Sequence, residues 1–234
     1  MRGAASISER SPFVEPAALT RLWAFLAVLF AAWIGRLAAL PYTDLAADSV
    51  SAARIVADLW RLLVWLAVPL VWLAWVERLD PRVAIDQRPG DRVWLGWAAA
   101  FATVAAARGL DVLGGSTWIA IPDVPASRFF VVAVGLALAA LCDEFVFRGL
   151  VLKALRGRMG FWAANAVSAA LYAAILVPGW LATVELDLFT LGYLFVSVLL
   201  FGLLLGWFVR LTGTIWPAVL AHFLNDLLQG FGFA

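Results

Sequence analysis

Seven long apolar runs decide what this chain can become. They lie near residues 19–40, 56–76, 93–110, 128–149, 161–177, 188–209 and 214–231. Each holds about 18–23 residues, enough to cross the roughly 30 Å hydrocarbon layer of a bilayer as an α-helix. Lipid offers no partners to backbone N–H and C=O groups, so repeated spans must fold as helices that satisfy their own hydrogen bonds. The expected fold is all-α, a polytopic membrane helix bundle of about seven transmembrane helices. Composition agrees: 65% of the 234 residues are hydrophobic and 14% are charged. A water-soluble domain of this size could not clothe its exterior with so little polar surface. The net charge of +1 argues against nucleic acid as a partner. The lipid bilayer is the first partner expected.

Residues 1–18 are small and polar, with Pro12 and Pro16, and read as a flexible tail. The first apolar run is long enough to stay in the bilayer rather than serve as a cleaved signal peptide. Pro178 and Pro217 mark an end of the fifth and seventh runs. Basic residues set the orientation. The tail with Arg21, and the second, fourth and sixth connections, hold 11 lysines and arginines against 2 in the other three. By the positive-inside rule the N-terminus is cytoplasmic and the C-terminus is outside. The setting is a multi-pass protein of a bacterial-type cell membrane.

Arg36, Arg61 and Arg108 fall near the outer ends of spans one to three, where snorkelling to headgroups accounts for them. Trp60, Trp75, Trp94, Trp162, Trp180 and Trp216 sit toward span ends and read as interfacial anchors. Gly192, Gly202 and Gly206 are expected to allow close helix contact in span six. Residues 150–160 suit an amphipathic helix lying at the interface.

Against this apolar background one stretch stands out: Leu141-Cys142-Asp143-Glu144-Phe145-Val146-Phe147-Arg148-Gly149. Charges here are expensive in lipid, and each needs a partner. Glu144 and Arg148 are four apart, on one helical face and able to pair. Asp143 points about 100° away around the same helix. Counting rise per residue, the acidic pair lies roughly 10 Å above the cytoplasmic end of span four, and His222 roughly 12 Å above that of span seven. Asp226 follows His222 on the same face, with Asn225 beside it. Carboxylates and an imidazole can thus meet at one depth. Either they form an acid–base site in a water-filled cavity, or a buried cluster that ties two spans together. With one histidine and one cysteine in the chain, a zinc site is disfavoured, and no metal or cofactor is expected. Cys142 reads as a small apolar helix residue.

These residues resemble a known family. Asp143-Glu144-x-x-x-Arg148 looks like the Glu-Glu-x-x-x-Arg motif of the CAAX-protease and bacteriocin-processing (CPBP, or ABI) family of intramembrane glutamic-type endopeptidases. The stretch from Gly206 to Asp226 is similar to that family's closing motif, a histidine followed four residues later by Asn or Asp, here His222 and Asp226. The middle motif is an aromatic, three residues, then histidine. This chain offers Tyr172-Ala173-Ala174-Ile175-Leu176, so Leu176 stands where the histidine belongs. Asn165, Ser168, Tyr172 and Leu176 form one helical stripe, and leucine ends it.

The resemblance implies three parts: the tail 1–18, N-terminal helices over 19–127 and a CPBP-like core over 128–234. It implies a membrane-associated protein or peptide as substrate. It implies that Asp143 is the general base that activates water, that His222 and Asp226 serve the oxyanion, and that Glu144 and Arg148 shape the cavity. Tyr172 and Asn225 shape the site, and Leu176 is the degenerate position. Three outcomes stay open: a protease of reduced activity, a protease using Glu144 as its base with His222, or a non-catalytic relative that binds a membrane protein or peptide as in immunity or scaffolding.

Overall fold

A computed structural model describes residues 16–39, 59–80, 82–85, 93–113, 125–183 and 187–231. Most of the expected tail, residues 1–15, lies outside this set, as do Arg54, Arg88 and Arg92. Among the described residues every regular element is a helix. We number them α1 (Pro16–Ala39), α2 (Leu59–Val76), α3 (Arg82–Ile85), α4 (Val93–Leu113), α5 (Ala126–Glu144, continuing through Phe145–Val151 and Leu152–Arg156), α6 (Phe161–Thr183), α7 (Leu188–Thr212) and α8 (Trp216–Phe231). Five of them, α1, α2, α5, α6 and α7, are long and apolar enough to cross a membrane. With α4 and α8 they make a polytopic helical bundle. Its outer faces carry large apolar side chains such as Val28, Phe130, Phe189 and Leu200, which only a bilayer can cover.

Local chemistry explains where helices bend and stop. Pro69 has no N–H to donate, and it sits between two wider, π-helical stretches of α2, Leu63–Ala67 and Trp72–Val76. Asp187 caps α7 by accepting the Thr190 N–H at 2.7 Å. Gly213, at φ 77°, ends α7 in the left-handed conformation that glycine adopts without strain. Pro217 lies in the first turn of α8, where a missing N–H does no harm.

Small residues set the spacing. α6 and α7 make the most extensive helix contact in the bundle, with Gly202 against Ala169 and Gly206 against Asn165. Gly192, by contrast, meets nothing, because it lies on an exposed face of α7. A side chain at Gly96 of α4 would run into Thr212 of α7. α8 packs against α5, α4 and α7, which brings its polar face to the acidic stretch.

Three expectations need correcting. α6 does not stop at Pro178 but runs on to Thr183, so Leu176 is an interior helix position. Residues 150–156 do not form a separate interfacial helix. They continue α5, with Leu152, Lys153, Ala154 and Leu155 buried, and Lys153 Nζ donates to Ala84 O of α3 at 3.1 Å. Arg36, Arg61 and Arg108 have protein partners. The first two guanidinium groups lie 4.7 and 5.4 Å from the centre of the Trp33 ring, and Arg108 bonds Asn225. A cation removed from water gains from an aromatic face or an amide oxygen what lipid cannot supply. The exposed Trp60, Trp75, Trp94, Trp162 and Trp216 sit as expected of anchors, while Trp33, Trp65 and Trp72 are core residues.

Candidate active site

The acidic stretch sits where α5 changes its winding. Glu144 ends the α-helical part, and Phe145–Val151 forms a π-helical segment whose seven residues are all buried. π-helical turns are frequent at functional sites, since the wider turn re-aims side chains that a regular helix would stack, though α2 carries two such stretches away from this cluster. Gly149 leaves room for α3: a side chain there would stand 2.7 Å from Ala84 O. Aromatic rings brace the other side. A chain of contacts at 5.2–5.8 Å runs from Trp33 through Trp65, Phe147 and Tyr172 to His222, and Phe201 of α7 meets the same imidazole edge-on at 5.9 Å.

His222 of α8 is the hub. Its Nδ1 is 2.9 Å from Glu144 Oε1. A carboxylate only accepts, so this contact places a proton on Nδ1. On the far side of the ring, Nε2 is 3.1 Å from the Tyr172 hydroxyl and 3.4 Å from Asp226 Oδ2. Glu144 Oε2 faces Arg148 Nε at 3.3 Å, and both side chains are fully buried. Arg148 also lies over the Tyr172 ring, 4.8 Å from its centre. Asn225 donates from Nδ2 to Asp226 Oδ1 at 3.3 Å and accepts from Arg108 Nη2 at 2.8 Å.

The two clusters foreseen on spans four and seven therefore meet. Glu144, Arg148, Tyr172, His222, Asn225 and Asp226 form one connected network. Asp143 stands apart. It is 7% exposed, carries no hydrogen bond among the described residues, and lies within electrostatic reach of Arg61, His222, Glu144 and Asp226. Each position of the polar stripe of α6 makes one polar contact: Asn165 Nδ2 donates to Leu203 O at 2.8 Å, Ser168 Oγ to Phe147 O at 2.6 Å, and Tyr172 reaches His222, while Asn165 Oδ1 accepts no hydrogen bond among the described residues. Leu176, about 6 Å further along the helix, packs against the apolar core instead. Sequence reasoning missed the hydroxyl-to-imidazole contact and the reach of Arg108. The signal for the first was present, since a tyrosine in a polar stripe carries a hydroxyl that must find a partner when buried. Arg108 gave no signal beyond its charge.

A family model described as Type II CAAX prenyl endopeptidase Rce1-like matches residues 125–228. This part of the chain is similar to that family. The match begins at the residue before α5 and ends inside α8, so it contains every member of the network except Arg108. No curated protein and no solved structure matches the chain.

Proposed function

We propose that the chain is an intramembrane endopeptidase of the CAAX type, acting on a membrane-associated protein or peptide. The observation that supports this most is the approach of Glu144 to Nδ1 of His222 at 2.9 Å, with Asp226 and Tyr172 at the opposite nitrogen. A fully buried carboxylate and a partly buried one converging on a single buried imidazole are expensive to assemble for packing alone. They are suited to proton transfer.

In this reading Asp143 is the base, because Glu144 is engaged by His222 and Arg148. Asp143 takes a proton from water as the oxygen attacks the peptide carbonyl carbon. The carbonyl π electrons move onto oxygen; they then return to re-form the C=O bond as the C–N bond breaks and Asp143 gives its proton to the leaving nitrogen. The products are a carboxylic acid and an amine, between which a proton then passes in water. Protonated on both nitrogens, His222 donates through Nδ1 to Glu144 and through Nε2 to the developing oxyanion, while Asp226 orients the ring. In this reading the protein sits in a bacterial-type cell membrane with its N-terminus in the cytoplasm, an orientation that the charge asymmetry of the connections supports.

One observation favours a second reading. Leu176 supplies no proton carrier; it is half-buried and packs against the apolar core. A chain lacking that partner for Asp143 would bind a membrane protein or peptide without cutting it. Co-expression with a membrane-anchored reporter peptide decides between them. The peptidase reading expects cleavage that falls about 10²–10⁴-fold in Asp143→Asn. No cleavage by the parent chain, with the reporter still captured, establishes the second reading; a gain of cleavage in Leu176→His would then show that only the missing imidazole separates the two.

A further inference from the structure

Arg108 lies on α4, outside residues 125–228, and belongs to no motif. Its Nη2 nevertheless donates to Asn225 Oδ1 on α8 at 2.8 Å. That bond fixes which way the Asn225 amide faces. With the oxygen turned to the guanidinium, the NH₂ group must point the other way, and there it donates to Asp226 Oδ1 at 3.3 Å. A flipped amide would set donors against the arginine and an oxygen against the carboxylate, losing both bonds. The other oxygen of the same carboxylate, Oδ2, stands 3.4 Å from Nε2 of His222. A cation on α4 is thus connected to the imidazole through two neighbouring side chains of α8, and charged donors strengthen such chains.

The connection matters because Nε2 has two competing neighbours. With Nδ1–H given to Glu144, an unprotonated Nε2 accepts the Tyr172 O–H, whereas a protonated Nε2 donates, with the Tyr172 oxygen at 3.1 Å and the Asp226 carboxylate at 3.4 Å as its rival acceptors. The groups facing the ring are Glu144 and Asp143 from α5, with Arg148 behind Glu144, and Tyr172 from α6, Asp226 from α8 and the apolar Phe201 from α7. Arg108 reaches it from α4 by way of Asn225.

We propose that Arg108 is a positioning residue of this site: through Asn225 it holds the Asp226 carboxylate against His222 and so sets which hydrogen bond Nε2 makes. The proposal rests on His222 being the working imidazole of the peptidase reading. It is tested without any substrate. His222 is the chain's one histidine, so ¹⁵N-histidine labelling of the full chain in phospholipid nanodiscs yields a single pair of ring-nitrogen signals. Asp226→Asn is expected to move the Nε2 signal. Arg108→Leu and Asn225→Leu should each reproduce that change, and adding Arg108→Leu to Asp226→Asn should change nothing more, as members of one unit behave. Arg108→Lys, which keeps a cationic donor, should stay close to the parent signals. If Arg108→Leu fails to assemble, Asn225→Leu decides alone. Parent-like Nε2 signals in the leucine variants, or effects that simply add to those of Asp226→Asn, would overturn the proposal. Because the ring reports with or without cleavage, a chain that cuts nothing still answers, and failure of the peptidase reading is seen separately in the reporter assay.

Discussion

Arg21 and Glu77 form one glutamate–arginine pair in this bundle, and Glu144 and Arg148 form another, in a different way. Arg21 grips Glu77 with two parallel bonds, Nε to Oε1 at 2.7 Å and Nη2 to Oε2 at 2.8 Å, tying the start of α1 to the residue just past α2. The arginine side chain is 36% exposed, so water shares the load. Arg148 and Glu144 touch through one contact of 3.3 Å and are fully buried. Arg148 Nε, Nη1 and Nη2 and Glu144 Oε2 make no hydrogen bond among the described residues. The first pair uses the capacity of its carboxylate fully. In the second, Glu144 spends its remaining oxygen on His222. A pair that only fastens helices has no reason to leave donors unmet at the centre of a bundle. The difference separates a staple from a site.

The largest expected effect breaks this comparison directly. Glu144→Gln leaves Arg148 as an uncompensated buried charge and should cost about 3–5 kcal/mol of stability. Glu77→Gln, in a bidentate pair whose carboxylate is buried but whose arginine stays 36% exposed, should cost less, about 1.5–3 kcal/mol. Thermal unfolding of both variants in one detergent measures the gap. Equal losses would mean that the two pairs do the same job.

That contrast also marks how far the sequence could be read. The polytopic helical bundle was legible because apolar runs of sufficient length have one outcome in lipid, although among the described residues five helices, not seven, are long and apolar enough to cross a membrane. The meeting of Glu144 with His222 was legible too, through equal depth counted along two helices. What depth counting cannot supply is azimuth. It left Arg108, Arg36 and Arg61 looking like headgroup-seeking side chains, when each turns to a partner inside the protein. Nor could it show that α5 unwinds into a π-helical segment just after Glu144, which changes where Arg148 and Gly149 point. Pro178 misled for a related reason: within lipid a helix continues past a proline if packing holds it, as α6 does.

An intermediate effect probes how the site pair is walled in. Arg148 Nη2 lies 2.7 Å from where a side chain at Gly202 would begin, and Asn165 occupies the equivalent space at Gly206. Gly206→Ala therefore forces α6 and α7 apart at a polar contact and should cost about 1–3 kcal/mol, as overpacking does. Gly192→Ala, on the exposed face of the same helix, is the control and should be neutral in the same melts. If both glycines prove neutral, close α6–α7 packing contributes nothing to holding the buried arginine.

The smallest expected effect concerns a carboxylate that stays in water. Asp187 is exposed at the N-terminus of α7, and its hydrogen bonds with the Thr190 side chain and N–H hold its carboxyl below the usual carboxylate range. A group whose folded value is depressed stabilises the fold fully above its unfolded value, about pH 4, and loses that contribution as pH falls through the folded one. Asp187→Ala should therefore speed amide exchange at Thr190 and the first turn of α7 at neutral pH, and should remove the rise in exchange that the parent chain shows under acid. The rest of the bundle should not respond, because the cap's partners are confined to one turn. Exchange at Thr190 that is unchanged by the substitution would show that the cap carries no weight. Exchange altered at Tyr172 or His222 would show that even this hydrated carboxylate is coupled to the buried ones, and the separation between staple and site would have to be drawn elsewhere.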